Sequence, residues 1–212
     1  MTNLHRPQHG EGCLCREVTL NDLLAVTNLH MAAFPEFFLS TLGPAFVQTM
    51  YQAFLLNTSG IFVVAEVEGR VSGFAVGVLQ STGKDLHLAL RLLPQFVWAL
   101  APALARNPIR VLRRVLSHFS SDGGVPAMSD PGATLRSIGV APSMRGLGVA
   151  GNLLAAFEQR AQARGAASVT LTTDVLDNER AIQFYKKHGY EVAQEFLQDK
   201  RRRMFVMLKD LK

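Results

Sequence analysis

Cysteine is nearly absent from this chain: there are two in 212 residues, Cys13 and Cys15. A disulfide across one intervening residue would be strained, and two thiols do not complete a structural zinc site. Neither a disulfide framework nor a metal centre is expected. The N-terminus lacks the apolar run of an export signal, and no stretch reaches the ~18 uninterrupted apolar residues of a spanning helix. A cytoplasmic location is the expectation that follows. Charge is also scarce. Only 18% of residues are charged against 48% hydrophobic, which excludes a disordered polyelectrolyte and supplies a real core. There is no internal repeat, and the length fits one domain with an insertion better than two domains.

What charge there is falls unevenly. The formal net charge is +5. Between Lys84 and Phe119 lie six basic residues (Lys84, Arg91, Arg106, Arg110, Arg113 and Arg114) and one acid, Asp85, so this segment carries the whole excess. A basic surface spread over the fold is thereby excluded, and no nucleic-acid partner is expected.

The hydrophobic pattern divides the chain. Residues 1–14 read as a flexible polar tail and 15–212 as a single domain, interrupted by an insertion at 81–133. CREVTL has the look of an edge strand. Thr19 and Asp22 make a capping-box start to a helix with Leu23, Leu24, Val26, Leu29 and Met31 at helical spacing, ended by Pro35. Ser40 is placed to cap a second helix bearing Leu42, Phe46, Met50 and Phe54. IFVVAEVEG and RVSGFAVGVL then form a hairpin through Glu68-Gly69-Arg70. Within the insertion, Leu86 to Leu100 is apolar around Pro94. Asn107 and Pro108 suit the start of a helix with Ile109, Leu112, Leu116 and Phe119 on one face. TLRSIGVAP is a strand, Arg145 to Arg164 a helix, SVTLTTD a strand and Asn178 to His188 a helix. YEVAQEF and RMFVMLKDL close the chain as strands. This order predicts an α/β protein of the α+β kind, a mixed sheet covered by helices on both faces.

The most informative residues are IGVAPSMRGLGVAGNLL. A strand ending at Val140 leads through a short loop into a helix that opens within Arg145-Gly146-Leu147-Gly148-Val149-Ala150-Gly151. Free backbone N–H groups at a helix start, at the positive end of its dipole, bind anions. Glycines at 146, 148 and 151 remove side chains that would hold a diphosphate off the backbone, and Arg145 can add a charge-assisted hydrogen bond. The same residues match the dinucleotide pattern G-x-G-x-x-G, with Asp174 near the ribose-binding position. Against that reading, Ala141 to Arg145 separate the strand from the glycines. The 61 residues after Gly151 also leave room for only about two βαβ steps of roughly 30 residues.

VAPSMRGLGVAGNLL resembles the acetyl-CoA signature of the GNAT superfamily, a strand followed by [QR]-x-x-G-x-[GA], with Arg145, Gly148 and Ala150 at the defined positions. Asn178-Glu179-Arg180-Ala181-Ile182-Gln183-Phe184-Tyr185, with Gly189-Tyr190, is similar to the family's N-x-x-A-x-x-F-Y…G-[FY] segment. The resemblance covers Thr134 to Leu208 well, the N-terminal helices and hairpin in outline, and 81–133 not at all. It implies a mostly antiparallel central sheet and an acetyl-CoA-binding part at 134–190. It also implies direct attack of an amine on the thioester of acetyl-CoA, the co-substrate. Ile138, Gly139, Val140, Arg145 to Gly151, Asn178 and Tyr185 are then the expected cofactor contacts.

Three chemical jobs follow from that implied reaction. The oxyanion needs a donor, expected from a backbone N–H of Ile138 or Gly139. The departing thiolate needs a proton donor or hydrogen bond, expected from Tyr185. The amine must lose a proton, and Thr134 to Val140 contains no acid. The candidates are Asp174, Glu66, Glu36 and His118, with Asp174 first because it ends the strand beside the expected gap. Asn178 is expected as helix N-cap, cofactor contact or both. The acceptor is a small-molecule amine, with amino sugars ranked first from a likeness of LTTD and the N-x-x-A-x-x-F-Y segment to glycan-associated acetyltransferases. The basic, apolar stretch 86–119 admits a lid for an anionic acceptor, a peripheral contact with a membrane or lipid-linked acceptor, or a homodimer contact. A reading from another class is a non-catalytic acyl-CoA sensor or partner module, favoured by the missing base.

Overall fold

The run Ile61-Phe62-Val63-Val64-Ala65 has no polar residue to face water, so a strand made from it must be buried on both sides. It is. Ile61, Val63 and Ala65 enter one core cluster, while Phe62 and Val64 enter another. Alternation of side chains along a strand puts these two cores on opposite faces of one sheet. The computed structural model describes residues 12–80, 86–106, 132–198 and 202–212.

Among these residues seven strands form one sheet: β1 (Cys13–Glu17), β2 (Gly60–Val67), β3 (Arg70–Leu79), β4 (Gly132–Val140), β5 (Ser168–Asp174), β6 (Glu191–Gln198) and β7 (Arg202–Asp210). Their spatial order is β1-β2-β3-β4-β5-β7-β6. Every neighbouring pair is antiparallel except β4 and β5. One face carries α1 (Leu23–Ala33), the short α2 (Phe38–Thr41) and α3 (Pro44–Leu56). There Val26, Val47 and Tyr51 pack on Phe62, Phe74 and Val76. The other face carries α5 (Val149–Ala163) and α6 (Glu179–Lys187), whose Leu153, Leu154, Phe157 and Tyr185 pack on Ala75, Leu135 and Leu171. The mixed, mostly antiparallel sheet with helices on both faces is as expected.

Some expectations are corrected. Cys13 and Leu14, placed in the tail by the sequence, belong to β1. Ser40 caps nothing. It lies within α2 and its hydroxyl donates to the carbonyl of Phe34 at 2.5 Å, while Gly43, with φ of 96°, precedes Pro44 at the start of α3. In the insertion, α4 (Leu86–Arg106) is one helix running through Pro94 and Pro102. Its Phe96, Ala99 and Leu100 pack on Leu42 and Phe46 of the α2–α3 region. The helix expected from Asn107, with Ile109, Arg110, Leu112, Arg113, Arg114, Leu116, His118 and Phe119, lies outside the described residues. No helix among the described residues is long and apolar enough to cross a membrane.

The entry to α1 is held by charge. Asp22 accepts from the Thr19 N–H at 2.7 Å and from both terminal nitrogens of Arg16 at 2.7 and 2.9 Å, while the Arg16 Nε donates to Glu66 at 2.9 Å. Arg16 thus fastens β1, β2 and the helix entry together. The guanidinium holds the Asp22 carboxyl well below the usual carboxylate range, with Thr19 adding two hydrogen bonds. A depressed folded pKa gives stability that is present above the unfolded value near 4 and lost below it. Asp22→Asn should therefore lower stability at pH 7 by about 2 kcal/mol. Denaturant titration should show this gap narrowing as the pH falls below about 4.

Candidate active site

β4 and β5 stay paired for four residues only, Gly132↔Ser168 to Leu135↔Leu171. At this closed end the Thr134 and Thr170 hydroxyls are 3.1 Å apart, and the Gln80 amide donates to Thr134 at 3.1 Å. Beyond Leu135, β5 remains on β7 as far as Asp174, and β4 remains on β3 as far as Val140. The two strands therefore part, and among the described residues no strand lies beside the β5-facing edge of Arg136 to Val140. The parting coincides with a bulge, since Val76 pairs with Ser137 and Gly77 with Leu135, leaving Arg136 as the extra residue. A bulge bends its strand and sharpens the twist. Gly77 permits it, because a Cβ there would lie 2.1 Å from the Thr134 carbonyl and 2.7 Å from the Phe157 ring.

The loop at the open end is pinned by alternate residues. Met144, Leu147 and Val149 pack against the core, while Arg145, Gly146 and Gly148 are exposed. Gly146 and Gly148 have φ of 80° and 82°, a left-handed conformation that glycine adopts without cost. This is why α5 begins at Val149 and not at Arg145: two left-handed residues cannot continue a right-handed helix. The first rung of the helix is Asn152 N–H to the Gly148 carbonyl at 3.1 Å. The amides of Val149, Ala150 and Gly151 precede it and lie outside the ladder. Gly151 has a different reason to be glycine from the one expected. Its Cβ would sit 2.9 Å from Nε2 of His188, so its bareness lets the end of α6 approach α5.

Tyr185 projects from α6 into the core beside Phe184 and Tyr190, with ring centroids 5.2 and 5.8 Å away. Burial pushes its phenol up to about 12. Tyr190 fixes the end of α6, donating to Glu158 of α5 at 3.0 Å. Asn178 occupies the N-cap position of α6, but its side chain makes no cap. Its amide donates to Thr173 Oγ1 at 2.6 Å and to the Asp174 carbonyl at 3.3 Å, tying the helix to the end of β5. Asp174 stands at the parting as expected, with both carboxylate oxygens engaged by the Arg202 guanidinium. Arg202 also lies 6.0 Å over the ring of Phe37, which packs on Phe34 at 5.2 Å. Glu66 is held by Arg16, Glu36 is exposed, and His118 lies outside the described residues.

One polar group escaped the sequence. His30 shares the apolar stripe of α1 with Val26, so its spacing reads as core. Its ring is indeed buried, with Nδ1 2.7 Å from the Tyr51 hydroxyl. Only the pairing of α1 with α3 brings these two polar atoms together. A prediction concerns Asn178. Asn178→Ala removes two part-buried hydrogen bonds and should cost about 1–2 kcal/mol in denaturant titration, with melting of α6 preceding that of the sheet in hydrogen exchange.

The acetyltransferase (GNAT) family model matches residues 23–190. The ribosomal-protein-S18-alanine N-acetyltransferase of Escherichia coli is similar in structure, with a TM-score of 0.60 at 15% identity, covering 94% of each chain. An aminoglycoside 6'-acetyltransferase type Ii superposes with a TM-score of 0.60 at 17% identity, over 93% of this chain and 96% of that one. PaiA N-acetyltransferase from Thermoplasma acidophilum, solved in complex with coenzyme A, gives 0.59 at 12% identity, over 94% and 99%. At such identities the likeness shows the fold alone. No curated protein matches the chain in sequence. Because the family match spans most of the chain, from α1 to the Tyr190 that anchors α6, the chain belongs to the GNAT family of acetyl-CoA-dependent N-acyltransferases.

Proposed function

We propose that this enzyme transfers the acetyl group of acetyl-CoA to the amine of a small acceptor, an amino sugar before other amines, by direct attack on the thioester. The observation that carries this is the parting of β4 from β5, flanked by the exposed loop at Arg145–Gly148 and by buried Tyr185. The unpaired edge of Ile138, Gly139 and Val140 receives the pantetheine arm. Arg145 and the amides of Gly146 to Gly151 hold the diphosphate, with Leu147 and Val149 anchoring the loop. Asn178 shapes the wall by fixing α6 on β5. A backbone N–H of Ile138 or Gly139 donates to the oxyanion. A phenol raised to about 12 keeps its proton beside a thiol of ordinary pKa about 8.5, so Tyr185 stabilises the leaving thiolate as a hydrogen-bond donor.

The acceptor side supports the sugar reading. Phe34 and half-exposed Phe37 offer aromatic faces beside the charged pair of Asp174 and Arg202. Apolar faces beside hydrogen-bonding groups suit the C–H and O–H surfaces of a sugar. An aminoglycoside acetyltransferase is among the structural relatives. Both Asp174 carboxylate oxygens are taken up by the Arg202 guanidinium, so its proposed place is in acceptor recognition.

Two outcomes test this reading. At a hundredfold excess over Kd, acetyl-CoA should raise the melting temperature by about 5 °C or more, while NAD and NADP should not. Nothing lies within 4 Å of a Cβ at Gly148, so Gly148→Asp meets only the strain of its positive φ. It should cost about 1 kcal/mol of stability and abolish the acetyl-CoA shift. An undiminished shift would mean the diphosphate lies elsewhere. Separately, Tyr185→Phe keeps the ring and removes the hydroxyl. Turnover in a CoA-release assay across amines and amino sugars should fall about 100-fold, with acetyl-CoA affinity nearly unchanged.

A further inference from the structure

A buried histidine with an idle nitrogen needs a reason. His30 is 3% exposed, and its Nε2 is buried with no hydrogen-bond partner among the described residues. An unpaired buried donor costs about 1–3 kcal/mol, which an apolar residue at the same place on α1 would avoid. Its other nitrogen, Nδ1, is 2.7 Å from the hydroxyl of Tyr51. Tyr51 is fully buried, and Ser137 stands near enough to its hydroxyl for its side chain to act on the phenol. Ser137 follows the extra residue of the β4 bulge and precedes Ile138, where the strand has left β5. Ser137 is half-buried, so this line of polar groups runs from the parting of the strands into the core under α1. Phe34 covers its inner end, packing on His30 at 5.1 Å, and a Cβ at Gly139 would meet that same phenyl ring at 3.2 Å.

We propose that Ser137, Tyr51 and His30 form a proton relay that takes the proton of the attacking amine from the cleft to the His30 ring. The proposal rests on the acetyltransferase reading and fills the job that the carboxylates leave open. Asp174 and Glu66 are each held by an arginine. In the step, the amine lone pair forms the N–C bond and the C–S bond breaks. The proton on nitrogen passes to Ser137 Oγ as the serine proton passes to the Tyr51 oxygen and the tyrosine proton to Nδ1. CoA departs as thiolate, hydrogen-bonded to Tyr185, and is protonated by solvent. The imidazolium returns its proton to solvent by the reverse path once the products leave. The sum is the amide and free CoA thiol. Nδ1 must accept in the resting enzyme, which places the resting proton on Nε2. Burial holds the imidazole down at about 4, so His30 waits as the free base at neutral pH.

The test is a kinetic comparison of His30→Gln, Ser137→Ala and the double variant in the full-length enzyme. Glutamine can hydrogen-bond to Tyr51 but cannot take up a proton, so a structural role is rescued by it and a relay is not. Ser137→Ala removes one half-buried hydroxyl and should leave the melting temperature and the acetyl-CoA shift as in wild type. Each single variant should lower kcat about 100-fold with KM for acetyl-CoA unchanged. The double variant should be no slower than the slower single, because both break one path. Wild-type kcat in Ser137→Ala, or losses that multiply in the double variant, would overturn the relay. If His30→Gln melts early, Ser137→Ala alone decides. A wild type that binds acetyl-CoA but releases no CoA with any amine would sink transferase and relay together. An active wild type with an equally active Ser137→Ala sinks the relay only.

Discussion

The structure turns on the place where two parallel strands stop being paired. β4 and β5 share only the four rungs that end at Leu135↔Leu171, and each then keeps a different antiparallel partner. β5 follows β7 and β4 follows β3, so the growing gap cannot be closed by either strand. Polar contacts among Gln80, Thr134 and Thr170 lock the closed end, and the bulge at Arg136 turns β4 away. Unpaired strand edges are costly when buried and are ordinarily covered. Here the edge leads to the exposed Arg145–Gly148 loop, the proposed cofactor loop, which makes a ligand its natural cover.

The two faces of the sheet divide the work. On the α5–α6 face stand the Arg145–Gly148 loop, the free amides of α5 and buried Tyr185, the groups proposed to serve the cofactor and its leaving thiolate. On the α1–α3 face stand Phe34, Phe37, Ser137, Tyr51 and His30, the groups proposed to serve the acceptor and its proton. Alternation of side chains along β4 makes this division possible, because Ile138 and its neighbours Ser137 and Gly139 point to opposite sides. The proposed reaction centre is then the edge of β4 just past the bulge, where groups of both faces come together. Buried aromatic rings of Tyr51 and Phe74, with centroids 5.2 Å apart, pack beneath that edge. Such packing suits the proposed oxyanion donor, which must be held in place before charge develops.

Much of this was legible in the residues, for reasons that can be named. The β-branched and aromatic run IFVVAEVEG announced the first strand of the hairpin, and Thr19 with Asp22 announced the start of α1. Arg145, Gly148 and Ala150, together with Asn178 and Tyr185, carried the resemblance to the family because its motifs are short and local in sequence. What depended on distant pairing was not legible. Register alone sets Arg202 beside Asp174 across 28 residues, and so the preferred base became half of an ion pair. Helix packing alone sets His30 on Tyr51. Gly151 reads like Gly146 and Gly148 in the sequence, yet it serves the approach of His188. Asn178 has the ideal chemistry for a cap, and Thr173 outbids the helix for its side chain.

The claim on which the rest depends is that acetyl-CoA occupies the gap between β4 and β5. Amide hydrogen exchange with and without acetyl-CoA tests it most directly, since bound ligand protects the backbone groups it covers. Protection is predicted at Ile138 to Val140 and at Gly146 to Gly151, with a smaller effect along α6. The groove of about 560 Å³ between α3 and α4, lined by Gln48, Gln95 and Trp98, should be unaffected. Protection confined to that groove, with the β4 edge and the start of α5 exchanging as in the free protein, would contradict the account.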